Sequence, residues 1–372
     1  MSYDLRIYTV KNLGLTCLQN LPNAEENENY FMLRYKNYDI TVWKETPIEE
    51  EDIPQHICKE IPGLKYLIEF NLSPISSDEK KIKEALRIAK IVAKENIGVI
   101  ENPQTNEINL PSGLKRVSKI EKTERFSIIE MSWWFNHKSI LEGYNLSKLL
   151  ETIERFMPEA LPRRYGLYEP PKEVFSDIES FKSYLLIDSS HSIVWYPSKP
   201  VDYVNFGVPE FIGPTWQGYR FGHFSVSIDA AVLEMPGWIT TIERCFNAIS
   251  LVLNPFYGDI YILKNHIRSR TVSYHDIQTE SHPISSWWWN GIPKELGVGV
   301  LIGEPLLKYV KIEKPTFLLD NHCQVLLSPK LSEQLSEGIE IDSDILQPIN
   351  APDEYDKKYP KAWPFEGTKV DR

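Results

Sequence analysis

The fold is decided by the stretch GLKYLIEFNLSPISSDEKKIKEALRIAKIVAKENIGVI, residues 63–100. It opens on a predominantly apolar run, which is typical of a strand buried on both faces of a sheet. After Pro74, the pattern Ser76-x-x-Glu79 has the form of a helix capping box, and apolar residues then recur at helical spacing. Gly98 stands where a helix C-terminal cap belongs, and Val99 begins another apolar run. The stretch therefore predicts a strand–helix–strand unit.

Working outward from this unit, the N-terminal part of the chain reads as one α+β domain. Alternating and β-branched residues predict strands at 2–10 and 38–44. The turn-rich segment 102–115 follows the central unit. We therefore predict an N-terminal α+β domain over residues 1–118.

The remaining chain contains two segments with the same ordered pattern: a strand, a helix carrying Thr-Ile-Glu-Arg, and a Tyr-Gly turn. The pattern occupies Phe126–Ile128, Thr152–Arg155 and Tyr165-Gly166, and again Phe224–Val226, Thr241–Arg244 and Tyr257-Gly258. Either it is a chance similarity or it marks a repeated strand–helix–strand unit. The second reading predicts units over 119–205 and 206–336, followed by a polar wrapping tail over 337–372. The predicted fold class is α+β, with mixed or antiparallel sheets and helices packed on one face.

Composition and charge exclude several classes of protein. The chain has 372 residues and is 42% hydrophobic, which is enough apolar material to exclude disorder as the main state. Its 41 Lys and Arg against 52 Asp and Glu give a net charge of −11, so direct nucleic-acid binding is not expected. The four cysteines form no CxxC pair, which argues against a zinc ribbon. No signal-peptide pattern or membrane-spanning apolar run is apparent, so a cytoplasmic protein is expected.

Motifs for catalysis are sparse. The sequence contains no GxSxG and no glycine-rich phosphate loop, and we predict no catalytic residue and no cofactor. The stretch YHDIQTESH, residues 274–282, does concentrate side chains that bind metals. Its possible ligands are His275, Asp276, Glu280 and His282. A plain polar loop before Pro283 explains the stretch as well, so a metal-dependent hydrolase or nuclease-type effector of phage defence is the alternative function.

Consecutive aromatic residues are the stronger signal. Alternate residues of a strand face opposite sides, so one ring of Trp133-Trp134 should face the core and the other the opposite face. The same holds for Trp195-Tyr196. The second ring is either a binding residue, since tryptophan is enriched at binding hot spots, or it is covered by other parts of the chain. The loop from Arg163 to Pro171 likewise forms either a recognition surface or a structural lock. Candidate binding residues are Arg163, Arg164, Tyr168, Trp195, Trp287, Trp288 and Trp289.

Three segments carry a resemblance to a known group of proteins. They are LPRRYGLYEPP (161–171), PGWITTIERCFNAISLVLNPFYGDIYI (236–262) and WWWNGIPKELGVGVLIGEPLL (287–307). Together they resemble the large α+β immunity proteins of bacterial polymorphic-toxin and type VI secretion systems. The resemblance spans residues 126–309, and the first 115 residues match no pattern of that group.

The resemblance implies a non-enzymatic protein that binds another protein. The partner it implies is a cognate bacterial toxin, and it carries over no catalytic residue. A charge of −11 agrees with this expectation, because an acidic inhibitor attracts a basic, nucleic-acid-degrading toxin and speeds association. No membrane partner is expected, and a homodimer is compatible with the sequence.

Overall fold

The chain forms two compact units in the computed structural model. One comprises Met1–Glu124 with Arg268–Tyr274, and the other comprises Arg125–Ile267 with the chain from His275 onward. The structure describes residues 3–21, 23–73, 79–105, 107–110, 115–117, 124–136, 144–167, 171–187, 193–207, 221–269, 272–274, 278–284, 292–293, 295–304, 306–312, 318–319, 322–323, 325, 327–328, 331, 333, 335 and 339–341.

The first unit is built on one antiparallel sheet with the strand order β2-β3-β4-β6-β1-β7-β8-β9, with β5 beside β6. Its strands are β1 Tyr3–Thr9, β2 Ala24–Glu26, β3 Tyr30–Tyr35, β4 Tyr38–Trp43, β5 Thr46–Pro47, β6 Tyr66–Ser73, β7 Gly98–Asn102, β8 Glu107–Asn109 and β9 Lys115–Val117. Its helices are α1 Thr16–Gln19, α2 Gln55–Cys58 and α3 Glu79–Asn96.

The predicted strand–helix–strand unit is present as β6-α3-β7. Both strands pair with β1, on its two sides, and α3 packs on the sheet through Ala85, Ile88 and Val92. Ile82 and Leu86 are partly buried against the same core, as the helical spacing predicts. Ser76 of the predicted capping box lies outside the described residues.

Two details of this unit differ from the sequence prediction. The left-handed residue after α3 is Ile97, with φ 53°, and not Gly98. Gly98 instead begins β7, where an added Cβ would lie 2.9 Å from the Tyr8 carbonyl oxygen, so glycine permits close approach to β1. The expectation that β6 is buried on both faces is wrong for its C-terminal half, because Glu69 and Asn71 are only partly buried.

The second unit contains a sheet with the strand order β14-β15-β10-β16-β18-β21-β20 and a small sheet β12-β11-β13. The strands are β10 Glu124–Asn136, β11 Arg164–Gly166, β12 Glu173–Val174, β13 Val194–Tyr196, β14 Val201–Gly207, β15 Phe221–Asp229, β16 Tyr257–Ser269, β18 Gly299–Gly303, β19 Val310–Ile312, β20 Leu318–Leu319, β21 His322–Cys323 and β22 Ile339–Ile341. Strand β17, Val272–Tyr274, belongs to the first unit. The helices are α4 Tyr144–Phe156, α5 Ile178–Ile187 and α6 Trp238–Leu253.

The two predicted repeats contribute to one sheet and one core. Strands β10 and β15 are neighbours, and α4 and α6 both contribute to the core cluster on the face that carries Trp133 and Phe224. The repeated pattern diverges after the helices, because Tyr165-Gly166 lies in the small sheet whereas Tyr257-Gly258 begins β16 of the large one. Arg155 and Arg244 are exposed, as surface charges of the two helices.

The α+β class, with antiparallel sheets and helices packed on one face, is confirmed. Of the predicted tail, Ile339–Ile341 pairs with β19, and residues 342–372 lie outside the described residues. The thiols of Cys17, Cys58 and Cys245 are free. Among the described residues, none of the helices has both the length and the apolar character needed to cross a membrane.

Candidate functional site

The face of the large sheet opposite α4 and α6 carries polar and aromatic side chains. Because neighbouring strand residues point to opposite faces, the residues that alternate with the core positions of β10, β15 and β16 lie there. Trp134 is paired with His223 across β10 and β15, and Ser132 with Ser225. We call this set the polar face. It comprises Glu130, Ser132, Trp134, His223, Ser225, Ser227, Tyr257, Asp259 and Tyr261.

A buried ion pair joins the polar face to a following segment of the chain. His282 Nε2 lies 2.9 Å from Asp259 Oδ1, and the two side chains are 7% and 0% exposed. The second ring nitrogen, Nδ1, lies 3.0 Å from the carbonyl oxygen of Ile284. Both nitrogens of the His282 imidazole are therefore engaged.

His282 and His223, whose rings both lie against Trp134, have different charge states. Burial by itself lowers the pKa of His282, but attraction to Asp259 and the hydrogen bond between them outweigh burial and raise that pKa to about 9. Burial and the nearby His282 charge lower the pKa of His223 to about 3. At neutral pH these pKa values give a protonated His282, which donates from Nε2 to Asp259, and a neutral His223.

Aromatic rings enclose the pair. The Trp134 ring centroid lies 5.3 Å from that of His282 and 4.8 Å from that of His223, and the Tyr261 ring meets His282 edge-on at 4.7 Å. Burial, followed by the charge of Asp259, raises the pKa of Tyr257 well above its ordinary value. The site is thus a dry environment in which a charge is stable only when it is paired.

The segment Thr279–Ile284, which we call the anchored segment, is fixed to β16 at several points. The Thr279 hydroxyl donates to the Asn265 carbonyl oxygen at 3.1 Å. The Lys264 amide donates to Glu280 Oε2 at 2.8 Å, and the Glu280 amide donates to the Lys264 carbonyl at 3.0 Å. The side chain of Ile284 is buried beside Trp134 in an apolar cluster. Three residues after Ile284, the sequence reaches the tryptophan triplet Trp287–Trp289.

This geometry bears directly on the predicted metal ligands. Of the four, His275 and Asp276 lie outside the described residues. His282 contacts Asp259 through Nε2 at 2.9 Å and the backbone of Ile284 through Nδ1 at 3.0 Å. Glu280 is bonded to the backbone of Lys264. Among the described residues, no group of three or more His, Cys, Asp or Glu side chains could hold a metal ion.

The predicted binding residues that the structure describes lie in or beside the small sheet. Trp195 is a core residue, 2% exposed, with its ring 4.8 Å from that of Phe181. Arg164 is also buried, whereas Arg163 is partly buried and donates from Nε to the Pro197 carbonyl at 3.0 Å. This placement agrees with the structural-lock reading of the segment. Tyr168, Trp287, Trp288 and Trp289 lie outside the described residues.

Sequence reasoning did not find the Asp259–His282 pair, whose members are 23 residues apart. The available signal was the single acid in the otherwise apolar strand YGDIYIL, residues 257–263. A carboxylate at a strand position with apolar neighbours implies a buried partner, because an unpaired charge there is costly. The signal does not say which cation pairs with it.

Comparison with known proteins gives a weak structural likeness. No protein-family model and no curated protein matches the chain. A solved structure described as the Pseudomonas aeruginosa T6SS protein PA0821 is similar over 39% of this chain and 43% of that chain, with 14% identity and a TM-score of 0.30. The aligned region thus spans less than half of that protein. A likeness of this size carries no argument for function.

Proposed function

We propose that this chain acts in the cytoplasm by binding another protein, and that the partner is a bacterial toxin which the chain neutralises. The observation that carries the proposal is the anchored segment, which is fixed to β16 and ends three residues before Trp287–Trp289 in the sequence. Tryptophan is the residue type most enriched at binding hot spots.

The kind of partner follows from charge and from sequence resemblance. A net charge of −11 favours a basic partner and fast association with it. The resemblance of residues 126–309 to toxin-neutralising immunity proteins supplies the biological role. The association with type VI secretion belongs to the same proposal and rests on that resemblance, since the name of the neighbouring structure describes only that protein.

The enzymatic alternative has less support. Both ring nitrogens of His282 are engaged within the chain, Nε2 with Asp259 and Nδ1 with the backbone of Ile284, so a metal on His282 would have to replace one of these contacts. These contacts favour a structural role for the pair in fixing the anchored segment.

Co-expression with a secreted-toxin gene adjacent to the gene for this chain tests the proposal. We expect the chain to restore growth and to form a complex with the purified toxin in calorimetry. Replacing Trp287, Trp288 and Trp289 singly by Ala should weaken binding by about 30-fold at one or more positions, equivalent to about 2 kcal/mol. Trp43→Ala, at a partly exposed tryptophan of the first unit, is the matched control and should leave affinity unchanged.

Two outcomes would overturn the proposal. One is failure to restore growth or to bind that toxin while the chain remains folded. The other is stoichiometric zinc or manganese in the purified chain together with metal-dependent hydrolysis that is lost in His282→Gln.

A further inference from the structure

Ile97, the residue after helix α3, is held in a backbone conformation that costs free energy. Its φ is 53°, in the left-handed region that a β-branched residue rarely adopts. In the described part of the chain, three other non-glycine residues share a positive φ. Asn254 and Asn265 are asparagines, which tolerate this region, and Leu331 is fully buried in the core of the second unit. Of these four residues, only Ile97 combines a branched side chain with substantial exposure, 40%.

The fold gains little from the side chain of Ile97. It belongs to neither apolar cluster of the first unit. The turn is fixed by the main chain instead. The Val10 amide donates to the Ile97 carbonyl, and the Lys11 amide donates to the carbonyl of the residue before it, both at 3.2 Å. Asparagine or glycine at position 97 would keep these bonds and relieve the strain. Strained residues cluster at functional sites, so an exposed isoleucine here indicates a role in contacting another molecule.

A second exposed aliphatic residue is bonded to the residue before Ile97. The Leu13 amide donates to Asn96 Oδ1 at 3.0 Å, and Leu13 is 50% exposed. Asn96 is buried, and its Nδ2 donates to the carbonyl oxygens of Val92 and Gly14. Leu13 likewise belongs to no apolar cluster of this unit. Leu13 and Ile97, which we call the aliphatic corner, are therefore exposed on a support that the hydrogen bonds of Asn96 hold in place.

Three exposed lysines lie around the aliphatic corner. Lys11 and Lys94 are within three residues of its members in the sequence, and the Lys65 amide donates to the carbonyl of the last residue of β1 at 2.8 Å. Within the described ranges, none of these three ammonium groups has an ion pair. Glu95, the acid nearest in sequence to Ile97, accepts a hydrogen bond from a hydroxyl of α1 at 3.4 Å. The corner is therefore apolar at its centre and positively charged around it.

We propose that the aliphatic corner is a docking surface for a segment of another protein that carries aliphatic side chains among acidic residues. Burying Leu13 and Ile97 against aliphatic side chains supplies apolar contact, and the surrounding lysines favour carboxylates and speed association. The surface belongs to the first unit and is separate from the tryptophan-based binding proposed above. Its positive charge also selects a different partner from a basic toxin.

Charge decides between this occupant and others. A second copy of the chain that met the same surface about a two-fold axis would bring lysine against lysine. An anionic membrane presents negative charge over an area far wider than two side chains, so it also repels the remainder of a chain whose net charge is −11. A nucleic-acid backbone offers charge but no aliphatic group to cover the corner. A short acidic and aliphatic segment meets both requirements.

The test uses the full chain and a capped synthetic peptide in which two Leu residues stand among Glu residues. One control peptide replaces both Leu by Ser, and the other replaces every Glu by Lys. Calorimetry at low ionic strength should show the first peptide binding about tenfold more tightly than either control, with affinity falling as salt is added. Phosphatidylserine vesicles serve as a competing probe.

The variant Ile97→Asn separates a binding role from a structural one, because two measurements should move in opposite directions. Relief of the strain should raise the urea midpoint of unfolding of the first unit. Loss of the aliphatic side chain should weaken peptide binding about tenfold. A lower urea midpoint in Ile97→Asn would show that the fold needs the isoleucine and would overturn the proposal.

Two further variants locate the surface, each with a matched control. Leu13→Ser should weaken peptide binding, whereas Met235→Ser and Leu251→Ser, at aliphatic residues of the second unit that are 51% and 54% exposed, should leave it unchanged. Replacing Lys11, Lys65 and Lys94 together by Gln should also weaken binding. The charge-matched control replaces the exposed residues Lys36, Arg244 and Lys308 by Gln.

Three results besides a lower midpoint would overturn the proposal. They are equal binding of the three peptides, an equal loss of binding in the control variants, and tighter binding to the vesicles than to the first peptide. None of these results depends on the toxin, so failure here is distinguishable from failure of the tryptophan-based binding.

Discussion

The two large sheets each carry a carboxylate–histidine contact, but the geometry of that contact differs between them. Each buries one face beneath helices and brings a carboxylate and a histidine together on the other. In the first unit, His56 Nε2 lies 3.8 Å from Glu101 Oε1, and the His56 side chain is 14% exposed. In the second, His282 lies 2.9 Å from Asp259 within a ring of aromatic side chains. The two carboxylates are equally enclosed, Glu101 at 1% and Asp259 at 0%, but the contact in the first unit is longer and its histidine is more exposed.

In the first unit, only part of this face is covered. In the first unit, Ile48, Ile53 and Ile57 cover the sheet face next to Tyr8 and Val99. Farther along the same face, the indole of Trp43 donates to Asn71, and Asn71 donates to Asp4, in a chain that remains partly exposed. Water screens charges on such a surface, whereas an enclosed charge depends on its partner. Substitutions on the partly open face of the first unit should therefore lower stability less than substitutions on the polar face of the second unit.

The largest difference should appear when matched tryptophans are truncated. Trp134 is fully buried on the closed face, so Trp134→Ala should lower the free energy of unfolding by about 3–5 kcal/mol. Trp43 is 36% exposed on the open face, so Trp43→Ala should cost about 1 kcal/mol. Chemical denaturation followed by far-UV circular dichroism measures both. Similar losses for the two variants would contradict the distinction between the faces.

The next effect concerns the two acid–histidine contacts. Asp259→Asn removes the charge that pairs with buried His282 and should destabilise the second unit by about 3 kcal/mol. Amide hydrogen exchange should accelerate in residues 279–284, which the pair fixes to β16. Glu101→Gln is the matched control. It keeps an acceptor for the Tyr8 hydroxyl, 3.2 Å away, and should change exchange in the first unit much less. Faster exchange in Glu101→Gln than in Asp259→Asn would show that the first unit depends more on its acid–histidine contact than the second unit does.

Sequence periodicity predicted those parts of the fold in which neighbouring residues carry the signal. The helix at 79–96 and its flanking strands follow from local spacing, and Trp133 and Trp134 do face opposite sides of the sheet. Whether the second ring is exposed depends on cover from distant residues, and Trp134 is packed with Tyr257 and Ile284. The repeated pattern likewise gave no sign that both predicted units share one sheet, because strand pairing joins residues about 90 positions apart, such as Trp134 and His223.

The candidate site was predictable only in part for the same reason. The sequence identified His282 as a possible metal ligand, but it gave no sign of the buried partner Asp259, which lies 23 residues away. The aromatic and basic character of Arg164 and Trp195 suggested a recognition surface. Composition does not reveal burial, and both side chains lie inside the fold.

A pH profile tests the charge states on the closed face. The folded pKa of His282 is raised to about 9, so its contribution to stability is complete below about 6.5 and is lost as pH rises through 9. The folded pKa of His223 is lowered to about 3, so stability is lost as pH falls from about 6.5 toward 3. The free energy of unfolding of the second unit should therefore be highest near pH 6.5.

Thermal melts across this pH range measure how stability depends on pH. Two variants separate the alkaline loss of stability from the acid loss. His282→Gln should remove most of the decline above pH 7, and His223→Gln should reduce the decline below pH 6. The part of the tryptophan fluorescence change that is lost in Trp134→Phe gives a local readout, since the Trp134 ring lies within 5.3 Å of both imidazoles. An alkaline decline of unchanged size in His282→Gln would show that other groups cause it.

The smallest effect should come from the open face of the first unit. Arg6 Nε lies 4.0 Å from Glu69 Oε1, and the side chains are 42% and 29% exposed. Exposed pairs at this distance contribute about 0–1 kcal/mol, because solvent screens the attraction and ordering two long side chains costs entropy. Arg6→Gln and Glu69→Gln should each change the free energy of unfolding by about 0.5 kcal/mol or less. The double variant should show almost no coupling, and added salt should leave the comparison unchanged. A coupling energy of about 2 kcal/mol would mean that this face is covered in the folded protein, and the contrast between the two sheets would fail at that point.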